Sequence, residues 1–306
     1  MGGDAGTPGG PAGPDERWFT LHETLPVLDA PVLVVHLSGW IDASGAAAAA
    51  LDAVERSCAT RVLATFDGDA FIDYRARRPT MELREGVNER LVWPEIELKV
   101  GRTPSGSDLL VLSGPEPDAA WRRFADVATD LAITLGTRLA VMLGAYPFAA
   151  PHTRTPRLSS SSPSADLIAT VPFTKNSVDV PAGMGAVLEH AFVAKGVPAL
   201  GIWAQVPHYL GTMTHPAASL ALLDGLRRVS GLDVEAGDLV DEAEAQRRRV
   251  DQLVSGNAEH RTMIDQLEAA YDAVEETGVV ELPAADLPSA DELAAEVERF
   301  LRDQGD

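Results

Sequence analysis

Four short apolar runs set the architecture. They are "PVLVVHL" at 31–37, "DLLVLSG" at 108–114, "RLAVMLGAY" at 138–146 and "PALGIWAQV" at 198–206. Each has the length of a strand and lacks the polar alternation of a half-solvated sheet, so each must be buried on both faces. Helical segments separate them. "SGWIDASGAAAAALDAVE" opens as a turn and continues as an alanine-rich helix, and "EPDAAWRRFADVATDLAITLG" is amphipathic and ends in glycine. "PAGMGAVLEHAFVAKG" places Pro181 where a first helical turn tolerates it, and "HPAASLALLDGLRRVSG" follows the last clear strand. Strands alternating with helices imply a mostly parallel sheet covered on both faces, a three-layer α/β/α sandwich.

Weaker signals complete this core, which spans residues 18–231. "RVLATFD" at 61–67 reads as a further strand. "LVWPEIELKVGR" alternates like a strand, with Pro94 marking an edge or a bulge. "LIATVPF" at 167–173 also reads as a strand, and "LSSSSPSAD" at 158–166 reads as a flexible loop by composition. After Gly231 the strand signal stops. Residues 238–255 and 258–276 are charged and helical, separated by "SGN". Val250, Leu253, Ile264, Leu267, Tyr271 and Val274 give them an apolar stripe. Ser289 and Glu292 form a capping box before a last helix. Residues 232–306 are therefore an acidic helical appendage, either packed on the core or a neighbour, or standing as a solvated hairpin.

Composition narrows the function. The chain of 306 residues carries a net charge of −21. From Asp233 onward there are 21 acids and six arginines, so −15 of that charge sits in the appendage. Such a chain is a poor partner for nucleic acid or an anionic membrane. No apolar stretch is long enough to span a bilayer. Residues 1–17 lack a basic start and an apolar run, so they read as a Gly/Pro-rich disordered leader rather than a signal peptide. The single cysteine, Cys58, excludes an internal disulfide and a cysteine zinc cage. These features point to the cytoplasm.

In a parallel sheet, ligands bind beyond the carboxyl ends of the strands, so polar residues there are the candidates. The turn after 31–37 carries Trp40, Asp42 and Ser44. Its acid or serine caps the next helix, or its amides hold an anion. "FDGDAFIDYRARRPTM" follows 61–65 and sets Asp67, Asp69 and Asp73 against Arg75, Arg77 and Arg78. It is either an internal carboxylate–arginine network or an arginine site for an anion; a metal site fits poorly beside three guanidinium groups. "PFAAPHTRTP" supplies His152 and Arg154, and "VPHYLG" supplies His208 and Tyr209. His152 is a candidate general base or ligand contact, or a hydrogen-bonded structural histidine. Neither a dinucleotide fingerprint, a P-loop nor a G-x-S-x-G elbow is present, and no cofactor or catalytic set is assigned.

"FDGDAFIDYRARRPTM", "DLLVLSGPEPDAAWRRF", "LGAYPFAAPHTRTP", "PAGMGAVLEHAFVAKGVPALGIWAQVPHY" and "HPAASLALLDGL" resemble, in order, motifs of the proteasome assembly chaperone 2 family, in its actinobacterial branch. The resemblance runs over about residues 27–305 and includes the tail "LPSADELAAEVERFL". It implies a core similar to that of nucleoside phosphorylases, a homo-oligomer (a trimer) and proteasome subunits as partners. Two positions depart from the branch pattern. Ile41 stands where an asparagine follows the tryptophan, and Ile72 replaces an aromatic before Asp73.

Three functional expectations follow. The first is a non-enzymatic assembly or interaction protein. The second is a small-molecule enzyme or binder that presents Asp67, Arg75, His152, Arg154 and His208 to an anionic or nucleoside-like ligand. In the third, Phe71, Tyr74 and Arg75, Arg77 and Arg78 form subunit contacts, because Tyr and Arg are enriched at interface hot spots.

Overall fold

The computed structural model describes residues 16–277. β1 (Phe19–Leu21) leads to β2 (Val32–Ser38), α1 (Ala46–Ser57) and β3 (Arg61–Phe66). A single-turn helix α2 (Gly68–Phe71) precedes a hairpin of β4 (Thr80–Arg84) and β5 (Val87–Val92). β6 (Glu97–Arg102), β7 (Asp108–Pro115), α3 (Trp121–Thr134), β8 (Leu139–Phe148) and β9 (Leu158–Ser161) follow. α4 (Ala165–Thr170), α5 (Met184–Ala194), β10 (Ala199–Pro207) and α6 (Pro216–Ser230) complete the core. α7 (Leu239–Ser255) and α8 (Ala258–Thr277) come last.

The main sheet has the order β1-β3-β6-β7-β2-β8-β10-β9. Its centre, β7-β2-β8-β10, is parallel, built from the four apolar runs. The flanks β6, β3 and β1, and β9 on the other edge, pair antiparallel. β3, β7, β2, β8 and β10 thus point the same way, and the mostly parallel α/β/α sandwich holds. Side chains alternate between two cores. Val32, Val34, Val141 and Ile202 pack under α1 and α6. Leu33, Val35, Leu110 and Met142 pack under α3 and α5. The alanines of α1 are what let it lie close on its neighbours: Ala46, Ala47, Ala50 and Ala53 are buried, and the Ser219 hydroxyl of α6 donates to the Ala46 carbonyl at 2.9 Å.

Three local expectations fail for identifiable reasons. "LIATVPF" is not a strand. It forms most of α4, because the Ser164 hydroxyl accepts the Leu167 N–H at 3.2 Å and Asp166 sits in the first turn. "LSSS" is not a loop but the edge strand β9, with Ser159 opposite Trp203. An edge strand accepts polar residues, so composition misleads there. Its Ser161 hydroxyl accepts from the Trp203 indole at 3.2 Å and donates to Glu189 at 3.1 Å. Burial raises that carboxyl to about 8, so it stays protonated at neutral pH. Lastly, Pro181 precedes α5, which starts at Met184 with Gly183 at its cap. At Pro94 the chain does break, between β5 and β6.

The paired helices α7 and α8 fall where their periodicity places them. Their stripe is only partly used: Val250, Ile264 and Tyr271 are buried, whereas Leu253 is 63% exposed. The Val274 side chain, the capping box at Ser289 and Glu292, and the leader up to residue 15 lie outside the described residues. Glu16–Trp18 forms a 3₁₀ turn. Among the described residues no helix is long and apolar enough to cross a membrane.

Candidate functional site

Most of the candidate residues gather in two groups. The first is the 151–157 segment after β8, on the side of α6. His152 is buried. Its backbone N–H donates to the Tyr209 hydroxyl at 2.7 Å, and its Nδ1 lies 2.8 Å from the same oxygen. Its Nε2 lies 3.1 Å from Asp251 Oδ1 on α7. A carboxylate only accepts, so Nε2 carries the proton, and the Tyr209 hydroxyl donates to Nδ1. Burial lowers the imidazole pKa and outweighs the opposing pull of Asp251, which keeps the ring neutral. Burial also holds the Tyr209 phenol up at about 12.

Arg154 grips α8. Its Nε and Nη2 donate to the two oxygens of Asp272 at 2.9 and 2.7 Å, and its Nη1 lies 3.2 Å from Glu268. These carboxylates raise its pKa. The Thr153 hydroxyl donates to Glu268 as well. Arg157 lies 3.8 Å over the Tyr271 ring and donates to the Tyr271 carbonyl at 2.7 Å. The Tyr271 hydroxyl returns a bond to the Thr155 carbonyl at 3.0 Å. The segment is therefore a socket for the appendage. Both nitrogens of His152 and the fork of Arg154 are engaged, so neither a free general base nor an open anion site stands here. His208 is outside the socket, with its ring 5.5 Å from that of Tyr209. Asp251, Glu268, Tyr271 and Asp272 are the partners that sequence reasoning did not assign. The signal was an acidic appendage facing an otherwise unmatched His-Thr-Arg loop.

The second group surrounds the turn after β2 and the 66–78 stretch; Phe71 and Ile72 of that stretch join the core on the α3 and α5 side, whereas Asp42 sits at the start of α1. Asp42 accepts the Ala47 and Ala48 N–H groups at 2.8 and 3.0 Å. It closes the start of α1 and occupies the amides that an anion would need. Trp40 stays 51% exposed beside Gly183. Asp67 caps α2 by accepting the Asp69 N–H at 3.1 Å, and Asp69 itself is exposed. Asp73 accepts the Arg75 N–H at 2.8 Å. Arg77 pairs with Asp118 at 3.1 Å, outside the stretch, and Asp118 also accepts the Asp73 N–H at 3.0 Å. The expected network among Asp67, Asp69, Asp73 and the three arginines does not form, because these aspartates bind backbone amides or stand exposed. Arg75 and Arg78 are exposed and make no ion pair or side-chain hydrogen bond with another described residue.

Tyr74 ties this loop to the β4–β5 hairpin through an edge contact with Trp93, 4.6 Å between centroids. Met81 sits opposite Leu91; they are 50% and 44% exposed, and Leu83 and Trp93 are exposed too. One face of a projecting hairpin is thus apolar and uncovered, and Arg75 and Arg78 lie on the loop that leads into it. The hairpin was not read from the sequence. Its signal was "REGV", whose Glu85 and Gly86 adopt φ of 48° and 83°, the positive pair that a two-residue hairpin turn requires.

With this geometry in hand, comparison with known proteins places the chain. Residues 36–254 match the PAC2 family. The chain belongs to the PAC2 family. A PAC2 family protein from Streptomyces avermitilis shares 34% identity and a TM-score of 0.70, over 76% of this chain and 99% of that one. A proteasome-assembly chaperone homologue from Mycobacterium tuberculosis shares 30% identity and a TM-score of 0.71, over 76% and 99%. A Corynebacterium glutamicum protein shares 28% identity and a TM-score of 0.79, over 85% and 99%. No curated protein matches. The PAC2 match covers both groups of candidate residues, from His36 to Val254, but stops short of α8 and hence of the carboxylates that hold Arg154.

Proposed function

We propose that this chain is a non-enzymatic assembly protein that binds proteasome components, and its own copies, through the face made by residues 74–93. The observation that carries this is the contrast between the two groups. The His152–Arg154 loop is saturated by the chain's own appendage, whereas the arginine-hairpin face is apolar, cationic at its base and uncovered. Monomers rarely expose such a patch without a partner, and arginine with aromatics is hot-spot chemistry. Its similarity to a proteasome-assembly chaperone homologue supports the choice of partner. In this reading residues 232–306 are an appendage whose described helices, α7 and α8, brace the core, and the protein works in the cytoplasm as a homo-oligomer. Cys58 fits such a setting, since burial lifts its thiol to about 11 and leaves it unreactive.

The test is native mass spectrometry of the chain with proteasome α-subunits of its source organism, beside a Met81→Asp, Leu91→Asp double variant. The wild type should give oligomers and α-subunit complexes. The double variant should keep its circular dichroism spectrum and lose both. Complexes that survive the double substitution would refute the placement of the interface.

A further inference from the structure

A second apolar patch lies apart from the hairpin. Trp40, in the turn after β2, is 51% exposed, and Ile41 next to it is 37% exposed. The segment before α5 runs past them: a Cβ at Gly183 would lie 3.2 Å from the Trp40 indole. Val178 and Val180 of that segment are 54% and 61% exposed. Contiguous exposed apolar surface of this kind marks a docking site. Cations flank it. A Cβ at Gly39 would meet the Arg77 guanidinium at 2.7 Å, so the 75–78 loop borders the turn. Arg75 and Arg78 on that loop, and Lys175 ahead of Val178, are exposed and make no ion pair with another described residue. An occupant that suits this surface is apolar along its middle and acidic at its sides.

The chain carries such a piece. Residues 278–306 lie outside the described residues, and their sequence holds eight acids against two arginines. After the capping box at Ser289 and Glu292, Leu293, Ala294, Val297, Phe300 and Leu301 recur at helical spacing. Asp291, Glu292, Glu296 and Glu298 fall off that stripe. The segment is also within reach. Tyr271, on the last part of α8, bonds to Thr155 and Arg157, which lead into β9. β2, β8, β10 and β9 are neighbours in the sheet, so about 14 Å separates the strand before Trp40 from β9. Residues 278–288 can span up to about 36 Å.

We propose that residues 289–302 dock through their apolar stripe on Trp40, Ile41, Val178 and Val180 of their own chain, with their acids turned toward Arg75, Arg78 and Lys175. This contact does not rest on the assembly reading, because Met81 and Leu91 of the hairpin take no part in it.

Disulfide trapping in the full chain tests it. Val178→Cys with Val297→Cys puts one thiol in the patch and one in the stripe, while the native Cys58 is buried. An intramolecular disulfide is expected. It should form roughly tenfold faster than one between Val297→Cys and Val240→Cys on α7, because tethering alone gives both pairs similar effective concentrations. Leu293→Asp with Phe300→Asp should remove that advantage. Arg75→Glu with Arg78→Glu should reduce it, as should high salt. Met81→Asp with Leu91→Asp should leave it unchanged. Equal rates for the two pairs would mean that the segment does not dock on the patch. A disulfide between two chains would seat it on a second copy, and loss of the advantage in the Met81, Leu91 variant would seat it on the hairpin. Each of these three results would overturn the proposal.

Discussion

Single residues carry two sharp consequences. Glu189 has its folded-state pKa raised from 4.5 to about 8 by burial. Below pH 4.5 the carboxyl is protonated in both folded and unfolded chains. Between 4.5 and 8 only the unfolded chain loses the proton, so stability falls by ~1.4 kcal/mol per pH unit and levels off above 8. Glu189→Gln keeps an acceptor for the Ser161 hydroxyl without this loss. Urea unfolding at pH 7 should show it ~3 kcal/mol more stable than wild type, with a flatter pH profile. Tyr209 poses the opposite case. Its hydroxyl satisfies both the backbone N–H and Nδ1 of the buried His152. Tyr209→Phe strands two buried polar groups and should lower stability by ~1–3 kcal/mol in the same assay. At this scale the sequence told which residue types stand at strand ends, but not their partners. Asp251 is 99 positions from His152, and Asp272 is 118 from Arg154; only the folded chain brings them together.

Elements were more legible where periodicity is strong. The parallel centre, α1, α3, α6 and the α7–α8 pair all follow from apolar spacing. The failures, α4 and β9, are short pieces where one cap or one edge position outweighs composition, and the β4–β5 hairpin hid behind its charged residues. α8 itself is an element held mainly by polar contacts: Ile264 and Tyr271 are buried, while Thr153, Arg154 and Arg157 supply the rest. Exposed ion pairs are screened by salt. Hydrogen exchange should therefore show α8 losing protection as ionic strength rises, while α6 keeps its own. Arg154→Ala should produce the same loss at low salt. Equal protection of α8 in Arg154→Ala and wild type would mean that Tyr271 and Ile264 alone hold the helix.

For the whole molecule, the division of charge explains the division of labour. The segment from Asp233 onward bears −15 of the net −21, and its Asp251, Glu268 and Asp272 meet the 151–157 socket. That internal match engages the His152–Arg154 loop and leaves the loop and hairpin of residues 74–93 exposed, the face through which we propose that partners bind. The measurement that tests this most directly is hydrogen exchange of the full chain with and without bound proteasome α-subunit. The account predicts new protection at residues 74–93 and none at 151–157. Protection gained at 151–157 or along α8, with the hairpin unchanged, would contradict it and make the socket the docking site.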